Sequence, residues 1–165
     1  MAQQAKDSGG FVQGYWFLGS KPSSSYTDYS WGQYMAQMAT QQANISAYFS
    51  FGIGLIWADV ERGSWTGTVD QNYQTVKGFC DQLKVLGFTP GIYSSSDEWP
   101  TVCGSNSAKA LLDHMYVWTN KPSTSQVSPA PTSMANAKPF SDFTNNDISM
   151  WQYVSGSIDY DAYAN

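Results

Sequence analysis

Positive charge is scarce in this sequence. Eight Lys and Arg residues, only one of them Arg, stand in a chain of 165 residues whose net charge is −5. Proteins that bind nucleic acid usually carry a basic face that follows the phosphate backbone. Because the chain has no such stripe of basic residues, we expect no nucleic acid partner.

Histidine and cysteine are also rare, with one His and two Cys. Metal sites of His and Cys need several such residues at short spacing, so we expect no metal and no cofactor. His114 lies beside Asp113 just before a predicted strand, which favours a structural or solvated role. Cys80 and Cys103 leave two alternatives open, a single disulfide or two buried thiols.

Long apolar runs are absent too. None approaches the ~18 residues of a membrane-spanning helix, so no membrane span is expected. The first ten residues show no secretory signal, and secretion, or delivery to a lysosome or phagosome, is expected only if a full-length form carries one. The length suits one hydrophobic core, and residues 1–165 are interpreted as a single domain.

Aromatic residues, by contrast, are abundant. They make up 16% of the chain, with seven Trp and eleven Tyr. Aromatic rings stack on the apolar faces of sugar rings. The excess is therefore compatible with a carbohydrate-binding groove, and equally with ordinary packing in the core and on the surface.

The apolar pattern predicts strands that alternate with helices. The predicted helices cover residues 29 to about 43 and 69–86, and the predicted strands cover residues 11–18, 53–60, 88–93, 115–118, 148–153 and 157–160. Such alternation is typical of an α/β fold with parallel strands. Six strands are two fewer than a closed β/α barrel needs.

Two stretches between these elements are predicted as loops. One carries Asp97, Glu98 and Trp99, and the other is the Pro-, Ser- and Thr-rich segment 119–147. The helix that begins near residue 69 has Thr68 and Gln71 as a candidate capping box and Gly87 as its stop.

Two carboxylates close the apolar strand at residues 53–60. Asp59 and Glu61 are two positions apart and therefore face the same way as Trp57, ~6.6 to 6.8 Å from each other along the strand. Glycosidic cleavage needs one carboxyl group that stays protonated near neutral pH and a second, charged group. We expect mutual repulsion and burial beside Trp57 to raise one pKa, and we interpret Glu61 as the proton donor.

Four motifs extend this interpretation. They are GYWF at residues 14–17, LIWADVE at 55–61, PGIYSS at 90–95 followed by Trp99, and WQY at 151–153 followed by Ile158 and Asp159. In order and spacing they resemble the family 25 glycoside hydrolases, which are N-acetylmuramidase lysozymes, and among these the eukaryotic branch. The resemblance implies a β/α (TIM-like) barrel that cleaves β-1,4 bonds in bacterial peptidoglycan or a related N-acetylated glycan. It also implies a monomeric full-length enzyme of antibacterial defence.

The same resemblance implies roles for individual residues. Glu61 corresponds to the general acid, Asp59 to the carboxylate that orients the substrate's acetamido group in a substrate-assisted step, and Asp159 to an acidic residue near the last strand. The candidates for contact with the sugar are Tyr15, Trp57, Tyr93, Trp118 and Gln152.

One departure from the family pattern is visible. Family members begin with a strand that carries an active-site Asp and continue with a second strand, and both would precede the first strand predicted here. We therefore expect a barrel truncated at its N-terminus, with about six of eight strands. Three alternatives follow: a muramidase, a non-catalytic glycan-binding module, or an inactive fragment.

Open strand edges generate a first prediction. Strand 11–18 carries no charge that would oppose pairing with another chain. We expect the 165-residue chain to be oligomeric or poorly soluble, and the chain extended by the N-terminal segment of a complete relative to be monomeric with a higher melting temperature. Sizing chromatography and thermal unfolding of both forms test this. A cooperative monomer without dye-accessible apolar surface would refute the truncation.

Overall fold

A computed structural model describes residues 13–45, 54–120, 131–154 and 159–164. The predicted positions 11–12, 53, 121–130 and 157–158 lie outside these ranges. The elements are β1 (Gly14–Phe17), α1 (Asp28–Ile45), β2 (Leu55–Asp59), α2 (Val69–Val85), β3 (Thr89–Ser94), α3 (Glu98–Cys103), β4 (Val117–Asn120), β5 (Met150–Val154) and β6 (Tyr160–Tyr163), with 3-10 turns at Lys109–Leu111, Met134–Asn136 and Asn145–Asp147. The predicted α/β alternation is confirmed. None of the helices in the described ranges is long and apolar enough to cross a membrane.

All six strands belong to one sheet, in the order β1-β2-β3-β4-β5-β6. Strands β1 to β5 pair in parallel, whereas β6 pairs antiparallel with β5. The prediction of six parallel strands is therefore wrong for β6. The connection from Val154 to Tyr160 is far shorter than the dozen or so residues that a parallel crossover needs.

Strands β4, β5 and β6 begin two or three residues further along the chain than predicted, and they end one to three residues further. For β4 the consequence is functional, because its carboxyl end moves from Trp118 to Asn120. The register then pairs Asp59 with Tyr93, Tyr93 with Trp118, and Asn120 with Gln152. Side chains of neighbouring strands thus form rows that lead to the carboxyl edge of the sheet.

The prediction of a loop at Asp97, Glu98 and Trp99 is wrong as well. Asp97 is the N-cap residue of α3, and Glu98 and Trp99 form its first turn. Trp99 is fully buried, and its indole N–H donates to the Asn106 carbonyl oxygen at 3.0 Å. This apolar anchor explains why a six-residue helix forms where the local sequence suggests only a turn.

The second predicted loop, residues 119–147, is packed where the structure describes it. Its first two residues belong to β4. Met134, Phe140 and Phe143 are buried in the hydrophobic core, and the Phe140 ring lies 5.7 Å from that of Trp99. Residues 131–147 therefore contribute several buried side chains to the core.

The hydrophobic core lies between the sheet and helices α1 and α2. On β2 the buried side chains of Ile56, Ala58 and Val60 join this core, as the alternation predicts. Thr68 and Gln71 form the predicted capping box at the start of α2, and Gly87 follows its end with a φ of 83°. The helix ends at Val85, one residue before the predicted end, and Leu86 is its C-cap residue and is 40% exposed.

The two cysteines are free and buried, so the structure realises the second of the two alternatives. Burial raises the pKa of the Cys80 thiol to about 12, and it also raises the pKa of Cys103. Both groups are therefore protonated at neutral pH. They contribute to packing as small apolar side chains.

Helices α1 and α2 touch backbone to backbone. A Cβ atom on Gly32 would lie 2.0 Å from the Thr75 carbonyl oxygen, and one on Gly78 would lie 2.0 Å from the Tyr29 carbonyl oxygen. At this distance neither helix has room for a methyl group. The two glycines thus determine how closely the helices approach each other and the sheet.

We predict that Gly78→Ala forces the two helices apart and lowers the free energy of unfolding by roughly 1–3 kcal/mol, as overpacking usually does. Urea unfolding followed by circular dichroism measures the change. Gln74→Ala, at an exposed position of the same helix, is the matched control and should be neutral. Equal stability of the two variants would show that the close contact is not needed.

Candidate active site

A cleft of about 370 Å³ opens at the carboxyl ends of the strands. Its volume is in the range typical of sites for small ligands. It brings together seven of the eight residues predicted to form the site and two that were not predicted. They are Tyr15, Asp59, Glu61, Tyr93, Trp118, Gln152 and Asp159, joined by Asn120 and Asp161.

Trp57 is the exception among the predicted residues. It is buried, does not line this cleft, and borders an adjoining cleft of about 220 Å³ together with Tyr15 and Trp118. Its ring meets that of Trp118 edge to face at 5.6 Å, and a Cβ on Gly91 would lie 2.5 Å from it. Because Gly91 of the PGIYSS motif has no side chain, there is room for the Trp57 ring, which packs against Trp118.

Asp59 is the most constrained carboxyl group of the cleft. It is the last residue of β2, is only 8% exposed, and its Oδ1 atom has no hydrogen-bond partner. Burial, and after it the charge of Glu61, raises the pKa of Asp59 to about 7. The sequence pointed to Glu61 as the group with the raised pKa. The structure gives the raised pKa to Asp59, because this carboxyl group is buried at the last position of β2.

The backbone on both sides of Glu61 is held by side chains. The preceding carbonyl group, of Val60, accepts a hydrogen bond from the Ser94 hydroxyl at 2.8 Å. The carbonyl of Glu61 itself accepts one from the indole N–H of Trp65, also at 2.8 Å. Glu61 follows the strand, so these bonds replace the ladder hydrogen bonds that it lacks.

The peptide group after Glu61 is held by a side chain of helix α3. The Arg62 backbone N–H donates to Glu98 Oε2 at 2.6 Å, and the Arg62 guanidinium makes a two-pronged ion pair with the same carboxylate, with an Nη2–Oε1 distance of 2.8 Å. The Glu98 N–H in turn donates to the Ser95 hydroxyl. Glu98 therefore ties the turn after Glu61 to the end of β3.

Tyr93 is the centre of a hydrogen-bonded row. Its hydroxyl donates to Gln152 Oε1 at 2.7 Å and accepts from Asn120 Nδ2 at 2.7 Å. Burial raises the pKa of Tyr93, and the charge and hydrogen bond of the neighbouring Glu61 raise it further. The phenol is therefore a proton-bearing donor beside the Glu61 carboxyl group.

Aromatic surfaces complete the cleft. The Trp118 ring packs edge to face on Tyr93 at 4.5 Å, and its indole N–H donates to Asp161 Oδ1 at 2.8 Å. Burial raises the pKa of Asp161, and the charge of Asp159 adds to this effect against the Trp118 hydrogen bond. Tyr15 is 67% exposed, so its ring is available for stacking on a ligand.

Asn120 and Asp161 are the residues that sequence reasoning missed. Each lies two positions after a predicted site residue, Asn120 after Trp118 and Asp161 after Asp159. The period of two in a strand would have indicated both, given the correct strand ends. The error in the boundaries of β4 and β6 thus hid two side chains of the cleft.

The chemical groups of this cleft are carboxyls, amides, a phenol and an indole. Within the described ranges, no group of three or more His, Cys, Asp or Glu side chains could hold a metal ion. Two neighbouring carboxyl groups in unlike environments are the arrangement that separates acid and base roles. The geometry is therefore suited to acid–base chemistry on a ligand that also stacks on aromatic rings.

Comparison with known proteins places these features in a family. The family model described as Lysozyme-like protein 1 matches residues 3–153. Two relatives from Dictyostelium discoideum are named Probable GH family 25 lysozyme 3, 36% identical over 75 residues, and Probable GH family 25 lysozyme 5, 31% identical over 80 residues. The matches cover 44% and 47% of this chain but only 16% and 37% of those two proteins.

Two solved structures share the fold across 99% of this chain. One is the catalytic domain of endolysin ply40 from bacteriophage P40 of Listeria monocytogenes, with a TM-score of 0.63 and 17% identity over 68% of its length. The other is a muramidase from Acremonium alcalophilum, with a TM-score of 0.60 and 18% identity over 72% of its length. The mostly parallel, six-stranded sheet is therefore a known α/β arrangement.

The raised pKa of Asp59 predicts a pH effect on stability. Between pH 4 and 7 the folded state holds a proton on Asp59 that the unfolded state releases, so folding becomes less favourable as the pH rises through this window. The Asp59→Asn variant does not titrate at this position. Relative to it, the free energy of unfolding of the wild type should fall by roughly 2–4 kcal/mol between pH 4 and pH 7 and stay level at higher pH. Urea unfolding at several pH values measures the difference.

Carbon-13 NMR of the Asp59 carboxyl group provides the direct check, with a midpoint expected near pH 7. Glu61→Gln should lower this midpoint but leave it above the usual Asp range, because burial is the larger cause. A titration midpoint near pH 4 for Asp59 in the wild type would contradict the burial of this carboxyl group with its unpartnered Oδ1 atom.

Proposed function

The chain belongs to the lysozyme-like family of glycoside hydrolase family 25 type, and from this premise we propose that it is a glycosidase of N-acetylmuramidase type, cleaving β-1,4 bonds of peptidoglycan. One observation carries the proposal. Asp59 and Glu61 lie together at the carboxyl end of β2, one buried and one beyond the strand, in a cleft lined by aromatic and amide side chains.

In the proposed reaction Glu61 donates a proton to the glycosidic oxygen as the bond to the anomeric carbon breaks. Two features support this role. Glu61 lies at the strand end with its backbone held by side-chain hydrogen bonds, and it lies beside the Tyr93 hydroxyl. A fixed backbone limits the positions from which the carboxyl group meets the bond.

Asp59 is proposed to hold the acetamido group of the substrate. Its Oδ1 atom is a buried acceptor without a partner, and an acetamido N–H would supply the missing donor. The acetamido oxygen would then attack the anomeric carbon while Glu61 protonates the leaving group, and water would open the resulting ring with Glu61 as base. Because a hydrogen bond to the carboxylate favours its charged form, substrate would lower the pKa of Asp59 from about 7.

We also propose that the six strands form part of a β/α barrel. Supporting this are the parallel order of β1 to β5, the site at the carboxyl ends of the strands, and the fold shared with the two solved structures. The proposed catalytic edge of the sheet is the one at which barrel enzymes place their chemistry. Asp159, exposed at the rim of the cleft, is proposed as a further acidic contact for the sugar.

We predict that Glu61→Gln lowers the rate of peptidoglycan hydrolysis 10²- to 10⁴-fold, the usual contribution of a general acid, without lowering the temperature of thermal unfolding. Release of reducing ends from purified cell walls measures the rate. Asp113→Asn, which removes an exposed carboxylate paired with Lys84, is the control and should retain the wild-type rate.

Two results would change the proposal. More than half of the wild-type rate in Glu61→Gln would show that another group supplies the proton. Saturable binding of muropeptides by the wild type, without turnover, would instead establish a non-catalytic glycan-binding module.

A further inference from the structure

Two buried side-chain atoms lack a hydrogen-bond partner among the described residues, and both belong to the cleft. One is Asp59 Oδ1, and the other is Oδ1 of Asn120. Buried polar atoms are normally satisfied, and an unsatisfied acceptor costs free energy that a bound donor recovers. The proposed function accounts for the first atom but gives no role to Asn120.

The orientation of the Asn120 amide follows from its neighbours. Tyr93 has a single hydroxyl proton, which it donates to Gln152 Oε1 at 2.7 Å. The remaining lone pairs of the phenol oxygen accept from Asn120 Nδ2, also at 2.7 Å. With Gln152 Oε1 as the acceptor of this proton, a reversed Asn120 amide would place Oδ1 against the lone pairs of the phenol, so Nδ2 donates to Tyr93 and Oδ1 is left without a donor.

The position of this acceptor indicates what it serves. Asp59, Tyr93 and Asn120 end or nearly end three adjacent strands, β2, β3 and β4, and all three residues line the same cleft. A ligand that satisfies both unpartnered acceptors must present two hydrogen-bond donors. Sugars that carry an acetamido N–H and ring hydroxyl groups meet this requirement.

We propose that Asn120 is a specificity-determining residue that accepts, through Oδ1, a hydrogen bond from an N–H or O–H donor of the bound N-acetylated sugar. This inference rests on the proposed function and deepens it. Because an amide stays neutral, the contribution of Asn120 to binding is the same from pH 5 to pH 8. The contribution of Asp59 changes across that range as its carboxyl group ionises.

The test is binding of N,N′,N″-triacetylchitotriose, followed by NMR titration of the 165-residue chain. Asn120→Ala is expected to weaken binding about 3- to 10-fold at every pH from 5 to 8, as the loss of one neutral hydrogen bond does. The side-chain amide resonances of Asn120 in the wild type should shift along the same binding curve. This second readout does not depend on the folding of any variant.

The Tyr93→Phe background separates ligand contact from a structural role. If Asn120 only held Tyr93 in place, Asn120→Ala would have no further effect once the phenol oxygen is gone. If Asn120 contacts the sugar directly, Asn120→Ala should weaken binding by the same 3- to 10-fold in the Tyr93→Phe background.

The failures are distinguishable. Wild-type binding with no loss in Asn120→Ala, a loss that vanishes beside Tyr93→Phe, or unmoved Asn120 resonances would overturn this inference and leave the glycosidase proposal standing. Absence of binding in the wild type would overturn the glycan site itself.

Discussion

The burial of one carboxyl group, that of Asp59, is the constraint around which the site is arranged. Strand β2 is covered by helices on one face, and its backbone is hydrogen-bonded to β1 and β3, including the bond from Leu18 N–H to the Asp59 carbonyl at 2.9 Å. The Asp59 side chain is therefore held in a buried position at the cleft. A charge there is costly, and Oδ1 has no donor to offset it. In the proposed function, a donor of the substrate meets this requirement.

The rest of the cleft is a consequence of packing on the same face of the sheet. The Trp57 ring lies over Gly91, where a side chain would collide with it. Trp57 packs against Trp118, and Trp118 packs against Tyr93. Each contact restricts the next ring, so the hydroxyl of Tyr93 is presented in one position. The polar residues proposed to touch a ligand are thus positioned by apolar contacts two or three side chains away.

Local sequence patterns sufficed where local forces decide the structure. The alternation in β2 and the capping box of Thr68 and Gln71 depend on neighbours within a few residues, and both were predicted. Helix α3 escaped prediction because its stability comes from burying Trp99 beside Phe140, distant in sequence. The same difference between local and long-range contacts applies to the residues of the cleft. Asp59 and Glu61 follow from the pattern of one strand, whereas the position of Asn120 in the cleft depends on hydrogen bonds with Tyr93 and, through it, Gln152 of neighbouring strands.

The single proton of the Tyr93 hydroxyl links two residues of the cleft, Gln152 and Glu61. Gln152 Oε1 receives this proton in the structure, while the Glu61 carboxyl group lies close enough to compete for it. When Glu61 has lost its own proton, its negative charge makes it the stronger acceptor. The Gln152 amide and the Glu61 carboxyl group therefore compete for one hydrogen bond, and a change at Gln152 alters the contact that Tyr93 offers to Glu61.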